Sequence, residues 1–289
     1  MPDQNYHERE AAYRAAAGLN QSALKSFAEH GPHRHNWLAS QPDESTAAQK
    51  EGVAVERLIA HGMDLAAAKV WFVSRRSNAD KATAEQLEAD GWVVLSEGAR
   101  ADVIGAAEFV ASLGLVDCYR ACQPLFAGDR KGLFDYLDVE TGDALDIKLT
   151  GKPLTVRNVE QSIADQRWHW QDAWYRRLFR DVYGRELRFR FVVVSSVAPF
   201  DHWVIELGQK DQELADTELA EVEAAYRACV ASGRWPRREQ PSRIGLPRWY
   251  TPFAAKERSG REVDADLEAA LSAAAASIDA GDDLPGGGW

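Results

Sequence analysis

The sequence predicts an α/β fold in one main domain, residues 1–255, whose first part, about 1–68, is helical. Three observations predict it. Residues 8–62 show helical periodicity punctuated by Gly and Pro. Two β-rich runs, KVWFV and WVVLS, flank a helical stretch. A hairpin-like pair, 131–139 and 143–149, is followed by a long amphipathic helix and another β-rich run. Strand and helix alternating in this way build packed α/β layers.

Residues 8–17 are Ala-rich and helical. Ser22 is the expected N-cap of the helix SALKSFAEHG, which Gly31-Pro32 ends. HRHNWLAS reads as a third, short helix. From Ser45, STAAQKEGVAVERLIAHG reads as a longer helix closed by Gly62, with Val53, Val55, Leu58 and Ile59 on its apolar face. The runs 69–73 and 92–96 are strands around the helix DKATAEQLEADG. Residues 99–122 read as one or two helices, which places Cys118 and Cys122 four apart on a helix as ordinary thiols. VEQSIADQRWHWQDAWYRRLFRDVYG is one long helix ending at Gly184. ELRFRFVVVSSV and HWVIELG are strands, and DQELADTELAEVEAAYRACVASG is a helix stopped at Gly233. After Pro247 the chain turns loop-like. Residues 256–289 form an acidic, Ala-rich tail, with a helix over 262–280, expected to be peripheral or partly disordered.

Composition narrows the function. No apolar run reaches the length of a bilayer span, and MPDQNYHEREAAYR lacks the layout of a signal peptide, so a soluble, cytoplasmic protein is expected. Three cysteines without a CxxC pair argue against a disulfide framework, a zinc ribbon or a four-cysteine iron–sulfur cluster. The net charge of −11 argues against a protein that coats nucleic acid non-specifically. Residues 151–250 hold 16 Lys and Arg against 14 Asp and Glu, so an anion is least repelled there.

The hairpin carries an awkward set of charges. Val139-Glu140-Thr141-Gly142-Asp143 is turn chemistry. With Glu140 and Thr141 as a two-residue loop, paired positions sum to 281 and Asp135 lies across from Asp146. Alternation then puts Lys148 on the same face and sends Phe134, Tyr136, Leu145, Ile147 and Leu149 to the other. Two adjacent carboxylates repel unless neutralised, and a divalent cation with oxygen ligands, Mg²⁺ or Mn²⁺, does this well. The residues alone leave two readings open: a metal site for phosphodiester hydrolysis, or the charged outer face of an exposed hairpin. A second copy of the pattern, Asp129-Arg130-Lys131, reads as a solvated turn. His33 and His35 have no third ligand spaced to make a metal site.

The order FDYL, turn, LDIKLT, helix resembles the PD-(D/E)xK nuclease core. NQSALKSFAEHGPHRHNWL, GVAVERLIAHG, WQDAWYRRLF and RWPRREQPSRIGLPRW resemble, in that order, motifs of the RecE-like exodeoxyribonuclease VIII family of phages and prophages. The resemblance spans roughly 20–250 and is weakest over 70–130. It implies a mixed central sheet flanked by helices. It also implies that Asp135 and Asp146 bind metal, that the Ile147 carbonyl is a further ligand, and that Lys148 is the catalytic lysine. Glu56 stands where this family has a histidine; phage exonucleases of the lambda type have a glutamate on the corresponding helix. Gly52, Glu56 and Ala60 share one helix face, whose small residues are expected to allow close approach to the hairpin.

In the family pattern Gln171 and Tyr175, four apart on one helix, line the site and touch substrate. Trp168, Trp170 and Trp174 beside them read equally as core. Arg176, Arg177, Arg180, Arg185, Arg188 and Arg190, with Arg234, Arg237, Arg238, Arg243 and Arg248, read either as phosphate contacts or as solvated faces. The resemblance implies a Mg²⁺-dependent 5′→3′ exonuclease on double-stranded DNA ends, acting in phage-type recombination with a single-strand annealing protein, as a homo-oligomer in a bacterial or phage-infected cell. Two alternatives remain: a PD-(D/E)xK endonuclease, and a catalytically idle DNA- or protein-binding module.

Overall fold

The computed structural model describes residues 3, 5–41, 45–74 and 77–238. These belong to one unit, Met1–Arg238. The expected tail, 256–289, and the arginines Arg243 and Arg248 lie outside the described residues. The N-terminal part forms α1 (Tyr6–Ala15), α2 (Gln21–His30), α3 (Pro32–Leu38) and α4 (Ala47–Ala60). Asn20, not Ser22, caps α2: its side chain accepts the Ala23 N–H at 2.9 Å, and Ser22 lies inside the first turn. Thr46 and Gln49 cap α4 reciprocally, satisfying two end-of-helix donors.

β1 (Val70–Val73) and β2 (Val93–Ser96) pair in parallel across α5 (Asn78–Ala89) and form a small sheet of their own. α6 (Arg100–Ser112) ends earlier than expected. Residues 120–127 form a strand instead, β3 (Arg120–Ala127), so Cys118 and Cys122 do not share a helix. Pro124 sits in this strand without breaking the sheet because β3 is an edge.

The central sheet runs β3-β4-β5-β6-β7, with β4 (Arg130–Asp138), β5 (Asp143–Thr150), β6 (Arg188–Ser195) and β7 (His202–Ile205). Neighbours are antiparallel except β5 and β6, which are parallel and joined by α7 (Val156–Gln166) and α8 (Trp168–Tyr183). The single helix expected over 159–184 is therefore two. The break is at Arg167, which is left-handed at φ 55°. That conformation costs about 1–2 kcal/mol. Burying Trp168 and Trp170, at 3% and 2% exposure, outweighs it, since a Phe-sized side chain contributes roughly 1.5–3 kcal/mol. α9 (Gln209–Ser232) packs along α8.

Two cores lie on opposite faces of the sheet. Leu137, Ala144, Phe189, Phe191 and Val193 pack with Leu178 and Phe179 of α8. Tyr136, Leu145, Ile147, Val192 and Val194 pack with Tyr6 of α1 and Val110 of α6. Phe134 departs from expectation. It joins the α8 core, while Leu133 leans on the other. Side-chain alternation thus slips by one at Asp135, opposite Cys122, whose φ is 52° and which is missing from the β3–β4 ladder. β4 is kinked at its acidic residue.

Candidate active site

The hairpin register is the predicted one. Tyr136 pairs with Leu145, Leu137 with Ala144 and Asp138 with Asp143, although the connection is four residues, 139–142, rather than two. Gly142, at φ 70°, closes it by donating its N–H to the Asp138 carbonyl at 3.0 Å. The β4–β5 ladder stops one step short of Asp135 and Asp146. β5 pairs with β6 along its whole length, which puts Asp146 beside Phe191 and Lys148 beside Val193, on the α8 side. The two strands splay apart where the carboxylates sit.

Three groups meet in this splay. Asp135 Oδ2 accepts the Ile147 N–H at 3.2 Å. Lys148 Nζ is ion-paired with Asp146 Oδ1, and Gln171 Nε2 of α8 donates to Asp146 Oδ2. The Lys148 contact does not have hydrogen-bond geometry, which leaves Oδ1, on a residue only 3% exposed, without a hydrogen-bond partner. The third acid, Glu56 on α4, feels both aspartates. Burial first, then Asp135 and Asp146, push its pKa well above the carboxylate range, with Lys148 opposing. Burial and Asp146 likewise push Asp135 to about 8. Burial works against the Lys148 charge, but Asp146, Asp135 and Glu56 outweigh it and raise its pKa. One ammonium thus faces three carboxylates.

That excess of buried oxygen donors suits a hard divalent cation. The orphaned Asp146 oxygen and the mutual repulsion of Glu56, Asp135 and Asp146 fit such an ion. Against this, no three His, Cys, Asp or Glu side chains among the described residues are grouped tightly enough to enclose a metal. The two observations describe different things: charge that needs neutralising, and a cage not drawn closed around it. Glu56, Asp135 and Asp146 are the acids whose charge such an ion would neutralise, and the described residues do not draw them together as a closed metal site. Gly52 does not supply the expected close approach, as a Cβ there would meet nothing within 4 Å.

The structure disperses the other expected contacts. Tyr175 packs edge-on to Phe134 at 4.4 Å and stacks on Phe189 at 5.3 Å, donating its hydroxyl to the Leu133 carbonyl at 2.6 Å. It supports the kinked strand. Arg176 donates to Asp172 at 2.7 Å and to Asp216 of α9, and Arg177 donates to Glu223 at 3.0 Å. Both tie α8 to α9 rather than face the splay. Further along, Arg180 pairs with Glu186, Arg188 with Glu206 and Arg190 with Asp143, and Arg185 donates to the Glu140 carbonyl. Arg238 donates to the Ala28 carbonyl of α2. His35 is 6% exposed among Phe27, Tyr226 and Trp235, a core histidine. Lys131 is not in a solvated turn: it is buried and donates to the Tyr13 and Ala16 carbonyls at 3.0 and 2.6 Å.

The sequence did not single out Lys25 or Arg167. The chain before α2 runs beside β4, where Leu19 and Lys131 exchange a backbone bond of 2.8 Å, and this swings α2 toward the splay. Burial lowers the Lys25 pKa, its ion-pair partner Glu29 opposes, and Lys148 and Arg167 lower it further. No local pattern marks Lys25. Only the docking of α2 brings it in.

Residues 124–242 match a family described as a PDDEXK-like domain of unknown function (DUF3799). A crystal structure of a candidate exonuclease from Eubacterium rectale is similar at 13% identity and a TM-score of 0.49, covering 83% of this chain and 96% of that one. The crystal structure of SSO0001 is more distantly similar, at 12% identity and a TM-score of 0.27, covering 71% and 85%. No curated protein matches. The matched segment contains β4, β5, the crossover helices and β6, with Asp135, Asp146, Lys148 and Gln171 on them. By its mixed five-stranded sheet flanked by helices and by this family match, the chain has a PDDEXK-like α/β core.

Proposed function

We propose that this protein is a Mg²⁺-dependent deoxyribonuclease that hydrolyses phosphodiester bonds at the β4–β5 splay. One observation carries the reading: at the end of the β4–β5 ladder Asp135, Asp146, Glu56 and Lys148 lie near enough to shift one another's titration, with burial and the neighbouring acids raising the pKa of Asp135 and Glu56. Glu56, Asp135, Asp146 and the Ile147 carbonyl would hold Mg²⁺, with Mn²⁺ able to substitute. When bound, the ion lowers the pKa of water and offsets charge developing on the phosphate. Lys148, held cationic by its neighbours, orients the attacking water and donates to a phosphate oxygen. Gln171 fixes the Asp146 carboxylate by occupying Oδ2. Water adds to phosphorus as the bond to the 3′ oxygen breaks. Lys25 and Arg167 give the incoming phosphate a cationic approach.

The narrower reading follows from the resemblance to RecE-like enzymes: a 5′→3′ exonuclease on duplex DNA ends, homo-oligomeric, cytoplasmic, and working in phage-type recombination with a single-strand annealing protein. Among the described residues no helix is long and apolar enough to cross a membrane. The test is digestion of linear duplex DNA with Mg²⁺ by wild type, Lys148→Ala and Asp146→Ala. Wild type digests and both variants lose activity by about 10²-fold or more; variants as active as wild type would place the chemistry elsewhere. Cleavage of closed circular DNA would favour an endonuclease.

A second reading rests on the absence of a tightly grouped acid triad among the described residues. It makes the chain an idle DNA- or protein-binding module. Calorimetric titration with Mn²⁺ separates the two, because an idle site takes up the ion poorly.

A further inference from the structure

We infer that a cavity on the far side of α4, formed with α1 and the β1–β2 sheet, binds a phosphate-bearing anion of nucleotide size. Its volume is about 720 Å³, and Asp135, Asp146 and Lys148 do not line it. It therefore goes beyond the proposed nuclease site. Pockets of roughly 300–1,000 Å³ accommodate small organic ligands.

The lining is cationic in an acidic protein. Among the described residues that line it, Arg14, Lys50, Arg57 and Lys69 face two carboxylates, Glu10 and Glu88. Glu10 is shared between two guanidiniums, accepting from Arg57 at 2.8 Å and Arg14 at 2.6 Å. Glu88 pairs with Lys50 at 2.8 Å. Lys69 reaches only a carbonyl, that of Asp90, at 3.3 Å. The second observation is Arg57 itself. It is 5% exposed, and although Nη1 donates to the Gly91 carbonyl at 3.1 Å, its Nε is buried without a hydrogen-bond partner. Held by the Gly91 carbonyl and Glu10, Arg57 presents a fixed positive charge to the cavity it lines.

Trp92 gives the cavity its selectivity. It lines the same space as the four cations, and an indole offers a stacking platform that every nucleobase satisfies. Cations for a phosphate and an indole for a base are what a nucleoside monophosphate, or one nucleotide of a strand, presents. Inorganic phosphate meets only half of this lining.

The experiment is calorimetric titration of the full-length Lys148→Ala chain, which separates this binding from any nuclease activity. The titrants are deoxyadenosine 5′-monophosphate, deoxyadenosine, inorganic phosphate and a 5′-phosphorylated dinucleotide. The monophosphate is expected to bind with a Kd below about 1 mM and at least tenfold tighter than deoxyadenosine or inorganic phosphate. Lys69→Ala and Lys50→Ala, each added to Lys148→Ala, should each weaken it about tenfold, and Trp92→Leu should reduce it to the level of inorganic phosphate. Far-UV circular dichroism checks that each variant folds; Lys69, whose recorded contact is to a carbonyl, carries the test if Lys50→Ala does not. Tighter binding of the dinucleotide assigns the source to a strand, tighter binding of the monophosphate to free nucleotide, and either supports the site. No heat with any phosphate, or affinity unchanged in Lys69→Ala and Trp92→Leu, overturns it.

Discussion

Asp135 on β4 accepts the Ile147 backbone N–H of β5 at 3.2 Å, across the gap where the ladder between these strands ends at Tyr136 and Leu145. A carboxylate here replaces a carbonyl in strand pairing. The sheet stays joined, yet two acids remain side by side in a buried space. That arrangement is expected to make the stability of the protein depend on pH.

With its pKa raised to about 8 by burial and Asp146, Asp135 binds a proton more tightly folded than unfolded. A carboxyl shifted upward contributes stability that is complete below its unfolded value, about 4, and lost as pH rises through the folded one. Glu56 is shifted in the same direction. In EDTA the Tm should therefore fall between about pH 5 and pH 8.5, and Asp135→Asn should flatten the slope. Adding Mn²⁺ at the upper pH should restore the lost Tm. A metal-free Tm that does not change over this range would contradict the burial of these acids together.

Gln171 is the α8 side chain that reaches Asp146. Gln171→Leu keeps the volume but removes the donor that orients the carboxylate. Loss of such a supporting bond typically lowers metal affinity about 10–100-fold. Mn²⁺ titration should show that loss with little change in Tm.

Arg177 and Glu223 are expected to act on stability rather than on DNA. Glu223 is 4% exposed and receives Arg130, Arg177 and Arg227. Glu223→Ala should cost about 3 kcal/mol in urea unfolding, the low end for a broken buried pair because Arg130 and Arg227 keep contact with water. Arg177→Gln should also lower Tm while leaving duplex affinity unchanged. A selective loss of DNA binding in Arg177→Gln would return this residue to the substrate interface.

Gly132 lets β4 approach α8. An added Cβ would stand 2.7 Å from Leu178 Cδ2 and 3.1 Å from Tyr175 Cε1. Gly132→Ala should destabilise by about 1–3 kcal/mol through overpacking, measured by thermal or urea unfolding.

Much of the framework was legible along the chain. Hairpin alternation is a local property, and it gave the pairing of Tyr136 with Leu145, Leu137 with Ala144 and Asp138 with Asp143, although the connection is 139–142 and the ladder ends before Asp135 and Asp146. The kink at Asp135 was not legible, because Phe134 and Leu133 change faces to satisfy two separate cores. Strand β3 escaped notice because an edge strand tolerates Pro124 and need not alternate. Nor does Gln166-Arg167-Trp168 carry a Gly or Pro to announce the break between α7 and α8.

What the sequence determined by itself is which side chains share a face within an unbroken stretch of strand or helix, since there the backbone periods of 2 and 3.6 residues decide it. Which charges meet was decided by tertiary structure. Arg176 and Arg177 sit within two turns of Gln171, yet α9, some forty residues on, takes them as partners. Long side chains follow the nearest opposite charge in space, and only the docking of helices decides which charge that is.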